Sequence, residues 1–282
     1  SKGKDGRKML NDYCVVKLLG KGAYGKVKLI QHIRTHELYA LKILNRTTLA
    51  RQRNAATGET SLDDAFREIA IMKVVDHPNV LRLVECIDDP DCHKFYLIME
   101  LMEGPVYKMG DPPLEIKDIK NYGVQAIRGL LYLHSQVIFH RDVKPENLLV
   151  TKDKVLKVSD FGVSHSKGGS LSGTTGTPAF LCPEIVDGAE VSGKMVDAWA
   201  FGVTLYVMAF GKLPWGSNIP QPMFEEIIAC NVIACPAGCD PLLEEVIHLL
   251  LAPKMEDRAD LKTIASHRFF GDVFLEEEPE SY

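Results

Sequence analysis

Residues 20–27 read Gly-Lys-Gly-Ala-Tyr-Gly-Lys-Val, and the strand pattern directly after these glycines constrains the fold more than any other feature. In a dinucleotide-binding fold a G-x-G-x-x-G spacing must open a helix. Here Gly25 runs into Lys26–Ile33, where Val27 and Leu29 alternate with polar residues as in a half-buried strand. Tyr13–Leu19, just ahead, also reads as a strand. The glycines therefore belong to a strand–turn–strand. Such a flap brings backbone N–H groups up to phosphate oxygens with no Cβ in the way. Taken alone, a plain hairpin turn explains the segment as well or better.

Strand patterns continue at Leu38–Leu44, Val80–Cys86 and Phe95–Leu101. Residues 45–61 lose periodicity and read as a loop. Ser61 with Asp64 three residues on reads as a helix start, and apolar spacing predicts a helix over 62–75, stopped at His77-Pro78-Asn79. The first hundred residues are thus five strands and one helix. After Glu103-Gly104-Pro105 the period changes: helices are predicted over 114–134, 194–210, 222–230, 241–251 and 259–266. Short strands fall at 148–150 and 155–159, and the Gly/Ser/Thr-rich stretch 166–177 reads as a flexible loop. The pattern is a small β-rich lobe, a hinge near 100–105 and a larger helical lobe.

At 282 residues and 46% hydrophobic, the chain has material for two lobes with their own cores. A net charge of −5 provides no global basic field, so nucleic acid is not an expected partner. The longest uncharged stretch, Ala198–Gly211, is 14 residues. A bilayer span needs about 20, so a buried helix is expected rather than a membrane span. Seven scattered cysteines without a C-x-x-C, and no apolar leader, point to a reducing compartment, the cytoplasm or also the nucleus. Cys230, Cys235 and Cys239 cluster, but no fourth ligand lies close by in sequence. They are expected to be metal-free, because closed zinc sites take four ligands.

Lys42 stands between apolar Leu41 and Ile43, so its ammonium needs a partner, and Glu68 on the following helix is the candidate. A plain surface lysine is the simpler reading without the glycine loop. His140-Arg141-Asp142-Val143-Lys144-Pro145-Glu146-Asn147 is the strongest signal. Asp142 and Asn147 have the H-R-D-x-x-x-x-N spacing of a phosphoryl-transfer loop. Asp142 can accept a hydroxyl proton, Asn147 can offer a carbonyl oxygen to Mg²⁺, and Lys144 can neutralise charge on the moving group. Eighteen residues after Asp142 comes Asp160-Phe161-Gly162, which adds a metal-binding carboxylate. The agreement of all these signals, in this order, is what specifies the chemistry.

On these residues, chain 13–270 resembles a eukaryotic protein kinase catalytic domain. Cys182-Pro183-Glu184 stands where that family has A-P-E, and Arg258 where it pairs an arginine with the glutamate. Lys144 and Gly176-Thr177-Pro178-Ala179-Phe180 resemble the Ser/Thr rather than the tyrosine kinases. The resemblance implies an α+β, bilobal fold: a five-stranded antiparallel β lobe with one helix, plus a larger, mainly helical lobe. It implies a tail at 1–12, a nucleotide-binding lobe at 13–102, a catalytic and peptide-binding lobe at 103–271, and an acidic tail at 272–282. It also implies ATP and Mg²⁺ as cofactors. Asp142, Lys144, Lys42 and Glu68 are then catalytic, and Asn147 and Asp160 bind the metal. ATP is expected between the lobes at Leu19, Gly20, Gly22, Gly25, Val27, Ala40, Lys42, Met99, Glu100, Met102, Glu146, Asn147, Leu149 and Asp160. Glu100 and Met102 resemble hinge residues, and Met99 the gatekeeper. All five of Lys42, Glu68, Asp142, Asn147 and Asp160 are present, against a pseudokinase scaffold. The 177–184 segment resembles a peptide-docking loop, against a small-molecule phosphotransferase.

Glu68–Val80, Asp88-Asp89-Pro90, Glu103–Val106 and Ser192-Gly193-Lys194 further resemble the calcium/calmodulin-dependent protein kinase kinases. That resemblance implies other kinases as substrates, including AMP-activated kinases, through their activation-loop threonines. Two departures bear on substrate choice. Residues 51–61 lack the prolines of the family's insert, and Glu146 stands where serine is expected, which favours basic substrates. No basic amphipathic segment follows residue 271, so calmodulin binding is expected only through segments outside this chain. Thr174, rather than Ser170, Ser172, Thr175 or Thr177, is the candidate phosphosite that Arg141 would pair with. The same resemblance also allows a loop active without phosphate.

Overall fold

The computed structural model describes residues 8–22, 25–53, 58–161, 170–171, 176–229 and 233–271. The chain divides into two units, Ser1–Glu103 and Gly104–Tyr282.

In the first unit, β1 (Met9–Leu10), β2 (Tyr13–Gly22), β3 (Gly25–His32), β4 (Leu38–Asn45), β5 (Leu83–Ile87) and β6 (Lys94–Glu100) form one sheet in the order β1-β2-β3-β4-β6-β5. Every pairing is antiparallel. The pleat sorts this sheet into two faces. One buries Tyr13, Ile30, Leu41 and Ile98 in an apolar cluster. The register places Val27 opposite Lys42, Lys42 opposite Leu97 and Ala40 opposite Met99, so these residues share the other face.

Among the described residues, two helices, not one, accompany the sheet. α1 (Arg46–Arg51) falls in the expected loop. Asn45 caps it, accepting from the Thr48 N–H at 3.0 Å, and Leu49 is buried. The Arg46 guanidinium lies 5.4 Å from the ring centroids of both Phe66 and Phe95 and pairs with Asp88. A six-residue helix has no periodicity to read; capping and tertiary contact hold it. α2 (Ser61–Met72) starts one residue earlier than Ser61 suggests: Thr60 is the cap and Asp63 closes a capping box with it. The expected tail at 1–12 contributes β1, paired through Met9 and Leu10 to Cys14 and Tyr13. The fourth expected strand, at 80–86, slips to 83–87, because a turn joins the Val80 N–H to His77 O and the ladder has an irregularity at Leu83/Glu85.

In the second unit, β7 (Gly104–Pro105), β8 (Leu148–Val150) and β9 (Leu156–Val158) form a small antiparallel sheet beside α3 (Ile116–Ser135). α4 (Pro183–Val186), α5 (Gly193–Phe210), α6 (Pro220–Ala229), α7 (Pro241–Leu250) and α8 (Leu261–Ala265) complete it. α5 is apolar nearly all round and is buried from Val196 to Met208, as such a helix must be. No helix among the described residues is long and apolar enough to cross a membrane. β10 (Ser170–Leu171) pairs with β11 (Val191–Ser192), so the stretch expected as a loop at 166–177 contains a strand. Gly162, Ser172, Thr174, Thr175, Cys230 and the acidic tail at 272–282 lie outside the described residues.

Candidate active site

In the first unit, Lys42 of β4 lies on the sheet face that also carries Val27, Ala40 and Met99. Lys42 Nζ donates to both carboxylate oxygens of Glu68, each at 2.9 Å. Glu68 comes from the buried face of α2, where it is 7% exposed. A carboxylate buried there needs this partner. Gly25 is obligatory for packing: a Cβ there would fall 2.0 Å from Ile43 O. Gly20 differs, since a Cβ would meet nothing within 4 Å. Ala40 and Met99 are buried, Val27 is partly buried and Leu19 is exposed. Glu100 Oε1 accepts from the Arg82 N–H at 2.8 Å, and Met102 follows the end of β6.

In the second unit, a separate polar group gathers around Asp142. Asp142 Oδ2 accepts from Lys144 Nζ at 2.6 Å and from Asn147 Nδ2 at 3.0 Å. Its Oδ1 accepts from the Thr177 N–H at 2.9 Å and the Thr177 hydroxyl at 2.7 Å. Lys144 Nζ also donates to Thr177 Oγ1 at 2.6 Å. Burial works to raise the Asp142 pKa, but the hydrogen bonds from Lys144 and Thr177 outweigh it and hold the carboxyl below the usual carboxylate range. Gly176 allows this closure: its φ is +121°, and a Cβ would press within 2.7 Å of Arg141 O.

Asp197, at the start of α5, holds this loop from beneath. It is fully buried and accepts from the His140 N–H at 2.9 Å, the Arg141 N–H at 2.7 Å and His134 Nε2 at 2.7 Å. Burial raises its pKa, yet these donors, His134 first, bring it below the ordinary aspartate value. Arg141 (φ 68°) and Asp160 (φ 67°) are both left-handed without being glycine, a strain that surrounding contacts must maintain. His140 Nε2 donates to Ser159 O at 2.9 Å, and Phe161 is wholly buried 5.7 Å from the His140 ring. These contacts position Asp160, whose carboxylate is exposed. The clamping role of Asp197 is not among the sequence-based expectations; a lone charge bounding a long uncharged run was its signal.

The donor chemistry fits Mg²⁺. The Asn147 amide nitrogen is engaged by Asp142 O at 2.9 Å and Asp142 Oδ2, which leaves its carbonyl oxygen for a hard cation, and Asp160 adds a carboxylate. Leu149 lies on β8 and Glu146 is exposed in the 3₁₀ turn Pro145–Asn147. Downstream, Arg258 binds Glu184 bidentately at 2.8 and 3.0 Å, and its guanidinium lies 4.7 Å from the Trp199 ring.

Comparison with known proteins agrees with this geometry. The family model described as the protein kinase domain matches residues 13–270. The chain is 38% identical over 272 residues to the serine/threonine-protein kinase GRIK2 of Arabidopsis thaliana, covering 94% of this chain and 66% of that protein. A probable serine/threonine-protein kinase of Dictyostelium discoideum is 44% identical, with 94% of this chain and 39% of that protein covered. The calcium/calmodulin-dependent protein kinase kinase of Caenorhabditis elegans is 39% identical over 261 residues, with 84% and 48% covered. The chain thus spans two thirds or less of the length of these three relatives. The family model, the Ser/Thr kinase relatives and the α+β bilobal architecture agree that this chain belongs to the protein kinase family, as a catalytic domain of the eukaryotic serine/threonine type.

Proposed function

We propose that this domain transfers the γ-phosphoryl group of ATP to threonine hydroxyls in the activation loops of other kinases. The observation that supports the chemistry best is the closed group Asp142–Lys144–Asn147–Thr177, whose four donors hold the Asp142 carboxyl ionised. In this reading an incoming hydroxyl gives its proton to Asp142, and Lys144 faces the charge on the phosphoryl group. Lys42, oriented by Glu68, binds the α- and β-phosphates. Apolar Val27, Ala40 and Met99 on the same sheet face suit a purine. Among the described residues nothing lies within 4 Å of a Cβ at position 20, and a glycine there lets the backbone come close to a phosphate. Mg²⁺, when bound by Asn147 and Asp160, supplies charge neutralisation at the phosphates.

The substrate class rests on the relatives: the nematode protein is named a protein kinase kinase. The exposed Glu146 supports a second reading, basic Ser/Thr peptides. Labelled ATP, Mg²⁺ and a panel of activation-loop and basic peptides discriminate the two. The proposal expects activation-loop threonine peptides to lead in kcat/KM by about tenfold or more, some 1.4 kcal/mol of transition-state preference. Preference for basic peptides overturns the substrate. No transfer to any peptide, with Asp142→Asn indistinguishable from the parent, overturns the activity.

A further inference from the structure

Glu244 and His248 are four residues apart on α7 and so share a face of that helix. The segment 233–240, which leads into α7, brings Cys235 to that face. Cys235 Sγ, a Glu244 carboxylate oxygen and a ring nitrogen of His248 all lie within 4.8 Å of one another. Each side chain is partly buried, and none belongs to the phosphoryl-transfer machinery. Cys239 lies beside Cys235: its thiol is within hydrogen-bonding reach of Cys235 and also donates to Asp240 O at 3.4 Å. Gly238, with φ at +86°, makes the turn that brings it there.

The surroundings have the form of an outer coordination shell. His248 Nε2 donates to Ile233 O at 2.8 Å, which fixes the ring and leaves the Nδ1 lone pair for a ligand role. Metal-bound histidines hold their second nitrogen in this way. The Tyr206 hydroxyl donates to Ala234 O at 3.1 Å and anchors the segment just before Cys235. Asp240 is not a competing ligand, because its carboxylate caps α7 through the Leu242 and Leu243 N–H groups.

We propose that Cys235, Cys239, Glu244 and His248 form a metal site for a thiophilic divalent cation, zinc by choice, that closes the 233–240 segment onto α7. Two sulfurs, one imidazole nitrogen and one carboxylate oxygen complete a tetrahedral set, and soft thiolates select zinc over Mg²⁺ or Ca²⁺. Linear spacing, with three cysteines and no fourth ligand nearby, led to the expectation of no metal here. The helix supplies the two ligands that this spacing hid. Binding releases both thiol protons to solvent as the two Zn–S bonds form.

Metal analysis of the whole chain, purified under reducing conditions without chelator, tests this. About one zinc per chain is expected in the parent and in Cys92→Ser, an exposed cysteine elsewhere. Cys235→Ser and His248→Gln are each expected to weaken zinc binding by on the order of 100-fold in competition with a chromogenic chelator. Cobalt added to metal-stripped parent is expected to give a thiolate-to-metal charge-transfer band, lost in Cys235→Ser. Chelator is expected to lower the parent Tm while leaving His248→Gln unchanged. Three results overturn the site: cobalt gives the parent no thiolate band, bound zinc is indifferent to both variants, or non-reducing mass spectrometry shows a Cys235–Cys239 disulfide that zinc does not prevent.

Discussion

The Thr177 hydroxyl donates to Asp142 Oδ1 at 2.7 Å, joining two residues 35 positions apart in sequence. Together with Lys144 it outweighs burial and keeps Asp142 an anion. Removing the hydroxyl while keeping the side-chain volume, as in Thr177→Val, weakens that hold. The Asp142 pKa is lowered in the folded chain, so its ionised form contributes stability above the unfolded value, near 3.9, which is lost as pH falls through the folded value. The acid limb of kcat/KM in the parent is expected below the ordinary aspartate range. Thr177→Val is expected to move it upward and lower kcat by about tenfold, the order of one lost charge-assisted hydrogen bond. An unmoved limb across a pH series means that Thr177 does not hold the charge.

Lys42→Met and Glu68→Gln remove the two halves of one ion pair. Each is expected to reduce kcat by about 100-fold or more, and the double variant by little more than the worse single one. The measurement is steady-state phosphoryl transfer with Tm recorded in parallel. Additive losses in the double variant contradict a shared role.

Met99 lies opposite Ala40 on the sheet face that carries Lys42 and is 8% exposed. Met99→Gly is expected to admit ATP analogues bearing bulky adenine substituents that the parent rejects. Truncating the buried side chain costs about 2–5 kcal/mol of stability, with more for glycine in a strand. Turnover of each analogue beside ATP checks this, and equal use by the parent places the size filter elsewhere.

Arg258 is held by both oxygens of Glu184, by Ala252 O and Pro253 O, and by the Trp199 ring. Lysine keeps the charge but not the fork or the planar stack. Arg258→Lys is expected to destabilise the chain by about 3 kcal/mol, because a buried pair with one ill-fitting partner leaves charge uncompensated. Denaturant unfolding measures it. A loss under about 0.5 kcal/mol, the size of an exposed pair, removes this account.

Sequence alone determined which residues make up the candidate site and their order along the chain. The Lys42 strand, the Glu68 helix, the Asp142–Asn147 spacing and Asp160 were all legible. Side-chain chemistry and strand or helix period are local properties, expressed within a few residues. α1 was not legible, because its six residues depend on the Asn45 cap, the burial of Leu49 and the rings beneath Arg46. Nor was the Asp197 clamp, which reaches back 57 residues to the His140 N–H. The meeting of Cys235 with Glu244 and His248 depended likewise on how segment 233–240 folds onto α7. Those relationships were decided only by the tertiary structure. Which distant groups meet depends on chain closure and on the need of every buried charge for a partner, and neither leaves a periodic trace in the residues that take part.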